Sequence, residues 1–111
     1  HYTFPALVTS DAVIEKDPES VSAAVRAIVK VQRALKEEPS RATEVGERLF
    51  PAMEASMIAE LIERDLAFYD PSISEDKVKA MNGFAKDIGL LTEEAAYNQV
   101  VGTQFSGLWA E

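Results

Sequence analysis

The tripeptide Asp17-Pro18-Glu19 fixes the start of a long helix more firmly than any other feature of this chain. A carboxylate at the capping position accepts from free backbone N–H groups. Proline suits the first helical position, where its missing donor costs nothing, and an acid in the first turn complements the helix dipole. The pattern that follows predicts a helix to about Glu38. Val21, Ala24, Val25, Ile28, Gln32 and Leu35 fall on one face at the helical period, with Arg26, Lys30, Arg33 and Glu37 opposite. Such a helix must pack on something apolar.

The remaining elements follow from similar punctuation. Residues 2–9 read as a short strand, and Pro5, which lacks a backbone donor, makes it an edge strand or a strand entry. Ser10-Asp11 caps a short helix through about Lys16. Pro39 interrupts the chain, and a helix from Ser40 to about Phe50 ends at Pro51. A longer helix is expected from about Met53 to Tyr69. Its apolar arc is wide, taking in Met57, Ile58, Leu61, Ile62, Leu66 and Phe68, which suits packing on two sides. Asp70-Pro71-Ser72 is a turn. Ser74 caps a helix with Val78, Met81, Ala85 and Ile88 as its buried stripe, and Gly89 ends it in a left-handed conformation. Thr92-Glu93-Glu94 reads as the cap of a last helix to about Val101. The tail 102–111, with Phe105, Leu108 and Trp109, is too apolar to stay free. The expected fold is therefore mainly α, one short strand followed by about five helices, with 1–111 as a single segment.

Composition excludes more than it assigns. Hydrophobic residues make up 47% of the 111 and charged residues 27%, a globular balance. There is no cysteine, which removes disulfides, thiolate zinc sites and a cysteine nucleophile. The net charge of −8 argues against nucleic acid and anionic membrane surfaces as partners. The acidity is uneven: the first fifty residues hold eight acids and seven bases, the rest eleven and four. No apolar run has the length of a membrane span, and no signal peptide is visible. The strand-like run begins directly after His1, so residue 1 is expected to be a cut point or a tag remnant.

Candidate chemistry is sparse. His1 is the only histidine, and one histidine makes neither a metal site nor a triad. The acid pairs Glu37-Glu38, Glu75-Asp76 and Glu93-Glu94 sit near helix ends, where solvation and the dipole account for them. The glycines form neither a dinucleotide nor a phosphate-loop fingerprint, so no cofactor is implied. Asp65 stands out because the helical wheel puts it among Ile58, Leu61 and Ile62. A carboxylate there must be paired, hydrogen-bonded or near the rim; a structural ion pair or a bond to a neighbouring helix N-terminus leads, and a ligand contact or an early helix end that leaves it exposed stays open. Nothing in the chain supplies a catalytic group, and the protein is expected not to be an enzyme.

Four stretches carry a family resemblance. Ala6 to Ala27 runs strand, short helix, Asp-Pro-Glu helix start and a Val-x-x-Ala-Val-Arg-Ala segment. Leu35 to Ala42 carries a Pro and an Ala at a helix junction, and Tyr69-Asp-Pro-Ser-Ile and Gly89-Leu-Leu-Thr follow in place. From Tyr2 to about Leu91 this order resembles the C-terminal third of a type-II periplasmic solute-binding protein of an ABC transporter, in the nitrate, sulfonate, taurine and thiamine-precursor branch. Leu35 departs from that pattern, where an aromatic is common.

The resemblance implies a two-lobed α/β protein that closes on a small solute and delivers it to a membrane permease, outside the cytoplasm, periplasmic or as a lipoprotein. Residues 1–10 would be the return from one lobe to the other. The helices would pack on a sheet supplied upstream. Tyr2, Thr3 and Phe4 would lie at the hinge or cleft as ligand contacts, and the isolated segment would self-associate. Two other readings stay open: a free-standing helical protein-interaction domain, and a helical piece of an enzyme whose catalytic groups lie elsewhere.

Overall fold

The computed structural model describes residues 6–111, apart from the side chain of Met53. The protein is mainly α. Its helices are α1 (Asp11–Lys16), α2 (Pro18–Glu37), α3 (Ser40–Leu49), α4 (Ala52–Asp65), α5 (Glu75–Asp87) and α6 (Tyr97–Val100), with 3-10 turns at Leu66–Phe68 and Thr103–Ala110. The chain forms two compact units. One holds Arg26–Pro71. The other holds Ser72–Glu111 together with the described part of His1–Val25.

The strand expected over residues 2–9 does not form among the described residues. Residues 6–10 have no regular structure, and Val8 is 84% exposed. The described residues offer no second strand to pair with, and a lone strand leaves its N–H and C=O groups open. Residues 2–5 lie outside the described residues.

Local capping sets the first helices. Ser10 Oγ accepts from the Val13 N–H at 3.3 Å and starts α1. Asp17 then caps α2 twice, accepting from the Ser20 N–H at 3.0 Å and from the Ser20 hydroxyl at 2.6 Å. These bonds to Ser20 favour the ionised form and hold the Asp17 carboxyl below the ordinary carboxylate range. Along α2, Val21 and Val29 are the buried positions, with Val25 half-buried between them at a spacing of four. Ile28, expected on the buried face, is 48% exposed, while Val29 is only 4% exposed. The apolar arc is wider than the contact, and packing takes the flank that carries the valines.

Within Arg26–Pro71 the main contact is the pair α3 and α4. Its buried positions are small: Ala42, Gly46 and Ala55. A Cβ built on Gly46 would stand 3.5 Å from Ala55, so the two helices meet almost backbone to backbone. Lys36 Nζ donates to the Tyr69 carbonyl at 2.6 Å and ties the end of α2 to the chain beyond the Leu66–Phe68 turn.

In the other unit, Ser74 Oγ caps α5 by accepting from the Lys77 N–H. Gly89 ends α5 at φ 77°, a conformation that costs glycine little. The Leu90 N–H reaches Ala85 O at 2.8 Å and the Gly89 N–H reaches Lys86 O at 3.0 Å, which satisfies carbonyls of the last turn. The helix expected from Thr92 begins only at Tyr97. Asn82 is the reason. This buried residue on α5 donates from Nδ2 to the Ala95 carbonyl at 2.8 Å and accepts at Oδ1 from the Ala95 N–H at 3.2 Å. With both backbone groups of Ala95 engaged sideways, a helix cannot run through it. Gln99 Oε1 then accepts from the Ala96 N–H and opens α6. The Tyr97 hydroxyl donates to the Ile73 carbonyl, and Val101 and Phe105 are buried beyond it.

Candidate interaction surface

The described residues bring no catalytic constellation together. Tyr2, Thr3 and Phe4 lie outside them. No group of three or more His, Asp or Glu is placed to hold a metal among the described residues. The acid pairs stand apart from one another: Glu75 and Asp76 are in the first turn of α5, Glu38 pairs with Arg41 at 3.5 Å, and Glu94, in the segment between α5 and α6, lies 3.9 Å from Lys86.

Asp65 is not a buried charge. Its side chain is 42% exposed and it takes two bonds from its neighbour Arg64, from Nε at 2.7 Å and from Nη2 at 2.9 Å. As the last residue of α4 it keeps its wheel position, but the arc around it is not buried: Leu61 is 42% exposed and Ile58 and Ile62 are only half-buried. The hydrogen bonds from Arg64 lower the Asp65 pKa, and the same bonds and charge raise that of Arg64. A pair this exposed contributes little to stability.

Apolar surface is what the geometry does assemble. Ala55 faces α3, and Met57 and Leu61 lie round the other side of α4, two and six residues on. Both are exposed, as are Val45 and Leu49 one turn apart on α3 and Phe50 at the junction. Phe68, in the turn after α4, is 82% exposed. Single exposed apolar side chains are ordinary, whereas here large ones stand exposed on both helices of one pair. No large side chain is fully buried among the described residues. Among the described residues the buried positions of the α3 and α4 pair are the small ones, Ala42, Gly46 and Ala55.

One buried polar atom adds to this picture. The Gln32 side-chain oxygen, on the inner face of α2, is enclosed without a hydrogen-bond partner among the described residues. An unsatisfied acceptor costs stability and is uncommon in a settled core.

The sequence pattern did not reveal Asn82, which breaks the apolar stripe of α5, nor the small seam at Gly46 and Ala55. The Asn-Gly pair and the spacing of Ala42 and Gly46 were the available signals. No helix among the described residues is long and apolar enough to cross a membrane. Compared with protein-family models, curated proteins and solved structures, the chain finds no match in any of the three.

Proposed function

We propose that this chain is the helical C-terminal part of a type-II solute-binding protein of an ABC import system. Its role is structural: it supports a lobe that closes with another around a small solute outside the cytoplasm, and the loaded protein docks on a membrane permease. The observation that carries the reading is the exposed large apolar residues on α3 and α4, helices whose buried positions among the described residues are Ala42, Gly46 and Ala55. Helices with two apolar sides fit a layer laid against a sheet. The stretches Ala6 to Ala27, Leu35 to Ala42, Tyr69 to Ile73 and Gly89 to Thr92 support the reading by their resemblance to that family. On this reading Tyr2, Thr3 and Phe4 would be the contacts at the hinge or cleft, and catalysis is no part of the role.

The test is to sequence the gene upstream of the Tyr2 codon and express the whole product. The reading expects a long strand-and-helix coding region there, and a protein whose melting temperature rises with a nitrate-, sulfonate- or pyrimidine-type solute. A start codon directly before Tyr2 would sink it and favour a free-standing helical domain that uses the same surface to bind a protein.

A further inference from the structure

Asn82 and Gly83 form a dipeptide with its own chemistry. Glycine has no Cβ to hinder its backbone nitrogen, so in a free chain that nitrogen attacks the preceding asparagine side chain. The Gly83 N to Asn82 Cγ bond forms, the Cγ to Nδ2 bond breaks, and ammonia leaves with the proton from the backbone nitrogen. Water then opens the cyclic imide at either carbonyl, giving aspartate or isoaspartate. One water is consumed and one ammonia is released, and no oxidant or cofactor is needed.

The fold opposes this reaction in two ways. Both polar atoms of the Asn82 side chain are held by Ala95, at 2.8 and 3.2 Å, and the residue is only 8% exposed. Gly83 lies inside α5, where helical backbone angles hold its nitrogen away from Cγ and its N–H belongs to the helix ladder. Within this chain no packing demands a glycine there. A Cβ on Gly83 would meet nothing within 4 Å, and its φ is not positive. Alanine would fit and would favour the helix.

We propose that Asn82 is a latent deamidation site, gated by local opening of α5 and the 92–96 segment, and that its conversion permanently releases that segment. The product carboxylate has no donor for the Ala95 carbonyl and faces it with negative charge. Isoaspartate would also lengthen the backbone inside α5. The reaction draws on the open fraction only, so its rate reads local stability.

The test is peptide mass spectrometry on the 111-residue chain held in warm, mildly alkaline buffer, native and in denaturant. Conversion at Asn82 is expected to be at least about tenfold faster in denaturant, in line with reaction from the open state only. Gly83→Ala should suppress it in denaturant while leaving the helical circular dichroism unchanged. Equal rates in the two conditions, with α5 amides still protected from exchange in the native sample, would overturn the gate. An Asn82 that stays intact in denaturant would overturn the site itself. The Asn82→Asp variant should lose exchange protection at the Ala95 amide, and retained protection would overturn the release.

Discussion

Asn82 and Ala95 are joined as two strands of a sheet would be, except that one side is a side-chain amide: Oδ1 takes the Ala95 N–H and Nδ2 gives to the Ala95 carbonyl. Thirteen residues separate them, so this link closes a loop that no helix ladder spans. Asn82→Leu keeps the volume but leaves two backbone groups of Ala95 without partners. The cost is expected at about 2–4 kcal/mol, from two lost bonds and the penalty of the stranded groups. Urea unfolding followed by circular dichroism measures it. A midpoint unchanged from the parent would show that the link is ornamental.

The contact between α3 and α4 tolerates little bulk. Ala55→Leu inserts a branched side chain where a Cβ on Gly46 would already stand 3.5 Å away. Overpacking of this kind typically costs about 1–3 kcal/mol. Gly46→Ala, by contrast, meets Ala55 at an ordinary contact distance and gains helix propensity, so it should be neutral or stabilising. Thermal melts of the two variants should therefore move in opposite directions, or the first alone should fall.

Acid weakens the start of α2. The Asp17 carboxyl has its pKa lowered by the hydrogen bonds from Ser20, so the folded state binds its proton less readily than the unfolded chain. Its contribution is fully present above the ordinary carboxylate pKa of 3.8 and fades as pH falls through the lowered folded value. Asp17→Asn keeps an acceptor for the Ser20 N–H and loses the titration. The parent should melt above the variant near neutrality, and the difference should narrow as pH falls through the acid range. Parallel pH profiles would show that the cap is not linked to that proton.

Gln32 offers a gain. Its side-chain oxygen is enclosed and unpartnered among the described residues, so Gln32→Met, of similar shape, removes an unsatisfied acceptor. Stability should rise by about 1 kcal/mol, the low end of the penalty for such a group. A loss on this substitution, read as a lower denaturation midpoint, would mean that the oxygen is satisfied in solution.

The exposed apolar rows should drive this segment to associate when it is prepared alone. Sedimentation at increasing concentration is expected to show species larger than the monomer. Met57→Lys with Leu61→Lys should reduce them without loss of helix, because both positions are already exposed. A parent chain that stays monomeric throughout would remove the main support for a covered surface.

Legibility in the sequence followed the range of the interaction. Ser10, Asp17 and Ser74 cap within three residues, and Gly89 terminates α5 within five, so a linear reading could find all four. Thr92-Glu93-Glu94 has the same local signature, yet no helix starts there. The competing bond comes from Asn82, a partner outside any local window. Asp65 misled for a different reason. The wheel gives its face within α4, but a linear reading cannot tell that this arc stays part-exposed, with Leu61 at 42% and Ile58 and Ile62 half-buried. The wide apolar arc of α4 was legible from its spacing, but which part of it faces α3 was not, because Ala55 marks the contact only once the helices have been paired.

A seam made of Ala42, Gly46 and Ala55 has almost nothing to interlock. Large side chains hold neighbouring helices like meshed teeth, and each sliding step then requires several rotamers to change together. Here smooth surfaces meet instead. The spacing of the pair is then set by backbone thickness, since even a Cβ added at Gly46 would stand only 3.5 Å from Ala55.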